Sequence, residues 1–484
     1  MSSDLDRMFG ALRHDADAIP LGPASTARRR GERRRRTRLI AATAAVACLV
    51  GAGLTGGTWL ARRDAAPQPA HPPRPLTDVI PIEGNTDSFV PSATSGDRVL
   101  LAWRTRGQLA VQLADLETGR PVQPARTLGG TRDYPHVVGL PWAFVAIGDG
   151  PDSRAYILDP RSGDLRWSLP MDDETDDLLY HRDALVAVVG GVTLGLDWDT
   201  GARLWELRPR GASDRPSDSL GMFTPGDPLP RDLSLDADAF GYARPLADDR
   251  MLQLTAGGTL LVRDAGTGAE LGRRPGILPA TPADYVAFDG QLYVWRRSAP
   301  FRLTVTDVDG DALPREIYRS AGGRFGSHVV PCGTGRVCFV ESTGDMRAEV
   351  VAIEASSGRV AWRTPAPGAG PSLLPAGDRL LVSAQDRASA LLDENGRPVS
   401  EQQAPMVWLS TGSLLVLGRE ELVEVSAADG SERVLGISPE GRWLCSSWTP
   451  RRLVCQTPPP PGPSASPASS PPDGGGFQIW AIGK

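Results

Sequence analysis

Three aspartates at alternate positions are the residues of this chain whose spacing best suits metal binding. Asp307, Asp309 and Asp311 lie in TDVDGDALPRE, residues 306–316. Alternating loop carboxylates can coordinate Ca²⁺, but the glycine of this segment comes too early for the twelve-residue calcium loop. We therefore interpret the segment as a polar turn, keep the three aspartates as calcium candidates, and predict that the protein needs no cofactor.

Other residue types that support catalysis are scattered along the chain. The acidic run DDETDD at residues 172–177 is typical of a solvated loop. The sequence lacks a GxSxG elbow, a P-loop and a Rossmann fingerprint in its required context. No two histidines have the spacing of metal ligands; they are His14, His71, His136, His181 and His328. These observations favour a protein that is not an enzyme.

Four of the five cysteines form two close pairs, CGTGRVC and CSSWTPRRLVC. Each pair straddles turn residues, and facing hairpin positions can satisfy the geometry of a disulfide. We predict the bonds Cys332–Cys338 and Cys445–Cys455, although four cysteines allow three connectivities. Buried free thiols remain the alternative, while the spacings do not suit zinc. Disulfides would place this region in an oxidising compartment.

The charge distribution predicts a membrane anchor. The 484 residues carry a formal net charge of −6, which argues against nucleic-acid binding. An arginine block at residues 28–38 precedes uncharged Leu39–Ala61. As a helix this segment would be about 34 Å long, enough for a hydrocarbon core of about 30 Å. The positive-inside rule then places residues 1–38 in the cytoplasm and the remainder outside.

Alternatives remain open for this first part of the chain. A cleavable secretory signal, including a twin-arginine signal, would leave a soluble exported protein. AVAC at residues 45–48 is similar to a lipoprotein cleavage box but lacks the usual leucine. Within residues 1–38, LDRMFGALRHDADAI could engage a cytoplasmic partner or form only a marginal helix. This N-terminus resembles those of membrane proteins from high-GC Gram-positive bacteria.

After a proline-rich linker at residues 62–77, one short motif is repeated. LDPRSGDLRW (158–167) returns as LDWDTGARLW (196–205) and, in part, as IEASSGRVAW (353–362). Most steps are about 40 residues, the period of a four-stranded propeller blade. An Asp can close the turn, a Gly accepts positive φ, and a Trp fills the space between sheets. The structural positions are Asp159, Gly163, Trp167, Asp197, Gly201, Trp205, Gly358 and Trp362.

This pattern, D-x-x-[TS]-G-x-x-x-W, resembles the blade signature of quinoprotein-type (PQQ-like) β-propellers. The resemblance covers residues 78–484, although the copies at Asp115, Asp264, Asp307 and Asp393 lack the tryptophan. It implies an all-β fold that includes both quinone-dependent dehydrogenases and non-enzymatic scaffolds. The dehydrogenases typically carry a disulfide between adjacent cysteines, and this sequence has no Cys-Cys pair.

Eight turn markers predict eight blades, with seven as the alternative, preceded by a single transmembrane helix. FQIWAIGK (477–484) is similar to one strand of a further unit, and LTDVIPIE (76–83) could supply its outer strand. A blade shared in this way closes a propeller ring. The Pro/Ser/Gly-rich segment 457–476 cannot build a core and is expected to be a disordered loop within the propeller.

The functional expectation is a membrane-anchored, extracytoplasmic β-propeller that acts as a non-catalytic binding or scaffold module in the cell envelope. Its partner would be a protein, a peptide or an envelope polymer, and we expect a monomer. The alternative is a transmembrane sensor that signals through the N-terminal helix. A PQQ-dependent dehydrogenase is the less favoured third hypothesis.

Overall fold

The computed structural model describes most of the chain beyond residue 73. Among the predicted segments, the cytoplasmic N-terminus 1–38, the anchor 39–61 and the acidic run 172–177 lie outside the described residues. So do most of the linker 62–77 and residues 458–475 of the low-complexity loop. The described residues are 74–76, 80–82, 92–131, 136–148, 154–171, 178–221, 249–277, 283–296, 298–343, 347–368, 370–384, 388–417, 420–437, 445–449, 451–457 and 476–482.

The described residues form nine antiparallel sheets, eight of them with four strands. Each sheet is one blade, and in the eight four-stranded blades consecutive strands pair in chain order. Blade 1 comprises Ser92–Ser95, Arg98–Thr105, Gln108–Asp115 and Arg126–Gly130; blade 2 His136–Leu140, Ala143–Gly148, Arg154–Leu158 and Leu165–Pro170; blade 3 Leu178–His181, Ala184–Val189, Val192–Leu196 and Arg203–Leu207; blade 4 Pro216–Gly221, Arg250–Thr255, Leu260–Asp264 and Glu270–Arg274.

The next four blades repeat this order of inner, second, third and outer strand. Blade 5 comprises Asp284–Phe288, Gln291–Arg296, Arg302–Asp307 and Arg315–Arg319; blade 6 Phe325–Pro331, Arg336–Ser342, Ala348–Glu354 and Val360–Pro365; blade 7 Ser372–Ala376, Arg379–Ser383, Ser389–Leu392 and Pro398–Gln402; blade 8 Met406–Ser410, Ser413–Val416, Glu421–Ser426 and Glu432–Ile437.

Blade 9 is assembled from two distant parts of the chain. Cys445–Thr449, Arg452–Thr457 and Gly476–Ala481 supply its first three strands. Two short strands, Arg74–Pro75 and Ile80–Pro81, both pair with Gly476–Ala481. Residues 76–83 were predicted to complete this unit, and Ile80–Pro81 do so, together with Arg74–Pro75 from the predicted linker.

Each blade is buried on both faces, which explains the run of apolar residues in its second strand. In blade 1 this strand reads RVLLAWRT, and Val99 through Trp103 are all buried. A strand with one solvated face would alternate apolar and polar residues, whereas a strand covered on both faces is apolar throughout. The continuous runs therefore follow from the packing of each blade between two neighbours.

Nine separate hydrophobic cores, one at each interface between consecutive blades, join the sheets. The core between blades 1 and 2 contains Leu100 and Phe144. The core between blades 9 and 1 contains Phe477, Ile479 and Trp103. The other seven cores bridge blades 2–3, 3–4, 4–5, 5–6, 6–7, 7–8 and 8–9. Because blade 9 packs on blade 1 as well as blade 8, the sheets form a closed β-propeller ring.

The predictions of eight or seven blades were wrong, because the described residues form nine. The eight turn markers undercount because blade 9 lacks an Asp-to-Gly turn, its outer strands coming from residues 74–81. The fold prediction also placed a transmembrane helix before the propeller. No helix among the described residues is long and apolar enough to span a membrane. The only helical element there is the 3-10 turn Ala212–Asp214.

Candidate functional site

The repeated Asp-to-Gly motif forms the hairpin between the third and outer strands. In blade 2, Asp159 Oδ1 accepts hydrogen bonds from the amides of Arg161 and Ser162, each at 2.9 Å. The amide of Gly163 donates to the Asp159 carbonyl at 2.9 Å, and Gly163 has a φ of 74°. The aspartate and the glycine therefore close the turn from both ends.

The same turn recurs around the ring. Asp197 Oδ1 accepts from the amide of Thr200 at 2.8 Å, and Asp264 Oδ1 accepts from that of Thr267 at 2.7 Å. In blade 6 a glutamate replaces the aspartate, and Ser357 donates to its carboxylate at 2.9 Å. The turn glycines with positive φ are Gly119, Gly163, Gly201, Gly268, Gly358, Gly396 and Gly430. The motif residues therefore serve to fix the backbone conformation of the hairpin turn.

Three motif tryptophans form hydrogen bonds between the outer strand of their own blade and the turn of the next blade. Trp167 Nε1 donates to the carbonyl of Trp198 in blade 3 at 2.9 Å. Trp205 and Trp362 donate at the same distance to the carbonyls of Gly266 and Glu394, each one blade further on. The indole rings lie where a Cβ would project from Gly201, Gly268 and Gly396. The glycine thus permits the turn and also makes room for the neighbouring tryptophan.

Replacing Gly268 by alanine is expected to destabilise the protein by roughly 2–3 kcal/mol, through left-handed strain and displacement of the indole. Gly268 has a φ of 72°, and a Cβ there would lie 2.8 Å from the Trp205 ring. Gly107→Ala is the matched control, because its φ is 77° and its Cβ would meet nothing within 4 Å. Urea unfolding of both variants isolates the contribution of the ring. Equal losses in the two variants would contradict it.

The turn carboxylates should also make the propeller sensitive to acid. Burial works against ionisation of Asp159, but the amides of Ser162 and Arg161 and the Arg166 guanidinium outweigh it and lower its pKa to about 2. A folded-state pKa below the ordinary 3.8 contributes stability above that value, and this stability is lost as the pH falls toward 2.

The pH dependence can be measured on Asp159→Asn. This variant should be less stable than the unmodified protein at neutral pH, and the difference should shrink between about pH 4 and pH 2 as Asp159 becomes protonated. Urea midpoints across that range provide the measurement. A difference that stayed constant down to about pH 2 would show that the charge of the carboxylate is not what stabilises the turn.

The structure does not assemble a calcium site at the candidate aspartates. Asp307 Oδ1 accepts the Asp309 amide at 3.0 Å, as in the other turns. Asp309 Oδ2 instead receives a hydrogen bond from Arg250 of blade 4 at 2.8 Å. Within the described part of the chain, no group of three or more His, Cys, Asp and Glu side chains is arranged to hold a metal ion. Asp307, Asp309 and Asp311 therefore lie in a polar turn.

An arginine at the start of the second strand makes a further contact between blades that the sequence analysis missed. Arg379 of blade 7 donates to the carbonyls of Ala427 and Ala428 in blade 8, at 2.8 and 3.1 Å. Arg452 of blade 9 donates to the Leu116 carbonyl of blade 1 at 3.0 Å, and Arg336 of blade 6 bonds blade 7. The sequence signal is an arginine directly before an apolar run, as in RMLQL, RLLVS and RLVCQ.

A buried charged cluster between blades 5 and 6 was also missed. Glu341 is fully buried, and its carboxylate accepts from the Tyr318 hydroxyl at 2.9 Å and from Arg324 and Arg363 at 3.0 and 2.6 Å. Arg324 also contacts Glu349 at 2.7 Å. Burial and the bond to Glu341 raise the pKa of Tyr318. These residues are far apart in sequence, so no local pattern signals the cluster.

His181 of blade 3 makes two defined polar contacts. It ends the inner strand of blade 3 and is buried, with its Nε2 3.0 Å from Asp249 Oδ1. Its Nδ1 lies 3.3 Å from the amide of Asp183. Because an amide donates, Nδ1 accepts and Nε2 carries the proton given to Asp249. The arrangement joins the inner strand of blade 3 to the residue that precedes the second strand of blade 4.

Both predicted disulfides are present in the structure. Cys332–Cys338 spans the hairpin between the inner and second strands of blade 6, with a Cα–Cα distance of 5.7 Å. Cys445 and Cys455 are directly opposed on the first two strands of blade 9. The first bond lies in the core between blades 6 and 7, and the second in the core between blades 8 and 9. Each therefore constrains a hairpin while facing a neighbouring blade.

Residues 283–446 match the family model described as outer membrane protein assembly factor BamB, which covers about a third of the chain. No curated protein sequence matches.

Solved structures give remote similarities. BamB from Moraxella catarrhalis is 19% identical, covering 74% of this chain and 98% of its own, with a TM-score of 0.41. The dihydro-heme d1 dehydrogenase NirN is 13% identical, covering 75% and 79%, with a TM-score of 0.43. Sqt1 from Saccharomyces cerevisiae is 10% identical, covering 75% and 100%, with a TM-score of 0.42. From its own repeats and sheet topology, the described part of the chain is a nine-bladed β-propeller, and residues 283–446 of it are similar to the BamB family model.

Proposed function

We propose that this chain is an exported, non-catalytic scaffold of the cell envelope that binds another protein. The observation that carries the proposal is the closed ring, in which every blade interface has its own buried core. A rigid body of this kind holds many loops in fixed relative positions, which suits recognition. The match of residues 283–446 to an assembly-factor family supports a binding role.

The contacts of the repeated turn residues support a role without catalysis. The motif aspartates hold their own turns, and the motif tryptophans bond the next blade. The Glu341 carboxylate is occupied by a tyrosine and two arginines. These side chains are thus engaged in holding the ring together.

Export is supported by the two buried disulfides, because such bonds form and persist in oxidising compartments. Alkylation of intact cells with a mass-increasing thiol reagent tests this part of the proposal. In protein denatured without a reductant, the reagent should leave Cys332, Cys338, Cys445 and Cys455 unmodified. After a reductant is added, it should label all four. Labelling of these cysteines in unreduced, denatured protein would contradict export.

The binding role can be tested by photo-crosslinking in living cells. Photoreactive residues placed at exposed Val122, Leu204 and Leu313 on blades 1, 3 and 5 sample three parts of the rim. At least one position should yield a specific protein adduct whose partner is identifiable by mass spectrometry. Absence of adducts, together with a quinone absorption band and dye reduction after addition of PQQ and Ca²⁺, would favour a dehydrogenase instead.

A further inference from the structure

The outer rim of blades 3 and 4 carries arginines around two exposed leucines. Leu204 and Leu271 have exposed fractions of 50% and 59% and lie on the outer strands of adjacent blades. Exposed arginines flank them on these strands and on the connection between the blades. The arginine–leucine surface is defined as Arg203, Leu204, Arg208, Arg210, Arg215, Leu271 and Arg273.

Charge on this surface is only partly balanced. Glu206 pairs with both Arg203 and Arg208. Arg273 contacts Glu270 at 3.0 Å and Asp214 at 3.8 Å. No ion pair to Arg210 or Arg215 is found within the part of the chain that the structure describes. The pKa of Glu270 is lowered first by its hydrogen bond with Arg273 and also by the nearby charge of Arg210. The surface is therefore basic on a chain whose formal net charge is −6.

Both leucines lie at an irregularity in the pairing of the third and outer strands. Arg203 opposes Leu196 while Trp205 opposes Gly195, so Leu204 is the extra residue of a β-bulge. Leu271 holds the same place in blade 4, between Glu270 and Gly272. A bulge leaves its extra residue unpaired and disrupts the ladder. This geometry blunts the outer edge against the addition of another strand.

We infer that the arginine–leucine surface binds an acidic polypeptide segment that also carries aliphatic side chains. The inference rests on the proposed function and names the chemistry of its partner. Arginine guanidinium groups suit carboxylates because their planar donors can form paired hydrogen bonds. Two leucines within a basic surface provide apolar area that a partner with both acidic and aliphatic residues would cover.

The composition favours a polypeptide over the other polyanions of a cell envelope. A phosphate polymer would leave Leu204 and Leu271 uncovered. Membrane-surface binding usually uses aromatic side chains beside basic ones. The outer strands described for blades 3 and 4, with their connection, contain one aromatic residue, Trp205, which packs against the blade 3–4 core.

The test uses the full chain and a labelled peptide built from Glu, Asp, Leu and Gly. Arg210→Glu with Arg215→Glu should weaken binding about tenfold by reversing two charges that form no close ion pair. Leu204→Ser with Leu271→Ser should weaken it to a similar degree. Fluorescence anisotropy at low and high salt measures both effects. The affinity of the unmodified protein should also fall as salt is added.

Matched controls lie on other blades. Arg120→Glu with Arg161→Glu reverses two exposed arginines on blades 1 and 2, and Leu313→Ser removes a leucine that is 84% exposed. These variants should bind the peptide like the unmodified protein. An equal loss in the controls would overturn the inference, because binding would then reflect charge anywhere on the ring.

Polyphosphate and phosphatidylglycerol vesicles are two further probes in the binding test, one for phosphate polymers and one for membrane surfaces. Tighter binding of either probe than of the peptide, with the same dependence on Arg210 and Arg215, would also overturn the inference. Failure of the peptide to bind, combined with protein adducts from Val122 or Leu313 in cells, would reject this surface and leave the proposed function standing. If the peptide fails to bind and no position yields a protein adduct in cells, both proposals are rejected.

Discussion

Replacing Trp167 by alanine is expected to lower the free energy of unfolding by about 3–4 kcal/mol, as for other large-to-small changes at packed sites. The Trp167 ring packs into the core between blades 2 and 3 and lies against Gly201. Its Nε1 also donates to the carbonyl of Trp198 in blade 3. The substitution therefore removes both packing and a hydrogen bond across one interface of the ring.

Trp167→Phe separates these two contributions. Phenylalanine keeps most of the aromatic area and loses the N–H donor, so its cost should be nearer 1 kcal/mol. Urea unfolding followed by tryptophan fluorescence and by far-UV circular dichroism gives both values. A loss below about 1 kcal/mol for Trp167→Ala would mean that the neighbouring cores hold the blades together without this contact.

Glu341→Gln is expected to cost about 3 kcal/mol, the lower end of the usual effect of removing one member of a buried ion pair, because the arginine partners are 33% and 36% exposed. The glutamate is fully buried, and its substitution leaves Arg324 and Arg363 with Glu349 as the remaining charged partner described for both. The amide also presents one acceptor oxygen where the carboxylate presents two. The interface between blades 5 and 6 should weaken first.

Glu349→Gln is the matched control for this cluster. Glu349 contacts the same two arginines, but 37% of its side chain is exposed. Ion pairs exposed to solvent contribute about 0–1 kcal/mol, so this variant should remain close to the unmodified protein in urea midpoint. If both substitutions had equal effects, burial would not explain the importance of Glu341.

The turns of the ring could be predicted from short stretches of sequence. Asp159 and Gly163 interact within five residues, and Trp167 follows directly on the returning strand. The paired cysteines Cys332–Cys338 and Cys445–Cys455 are also separated by only a few residues. Hydrogen bonds and disulfides between residues this close in sequence depend on local backbone geometry. The spacing of the residues therefore suffices to predict them.

The number of blades could not be read in the same way. Eight Asp-to-Gly markers predicted eight blades, yet the strand at 476–481 pairs with residues 74–75 and 80–81 to complete a ninth. Such pairing joins segments nearly 400 residues apart in the sequence. Closure depends on how many blades bring the two ends of the ring together, which no single repeat contains.

The sequence by itself determined the repeat, the all-β character and the two disulfide pairs, because each arises from residues close together in the chain. Only the tertiary structure decided the blade number, the burial of Glu341 and the position of Arg210 near Glu270. The physical reason is that each blade must cover both faces against its neighbours. Contacts across those faces join residues whose separation in sequence reveals nothing of their distance in space.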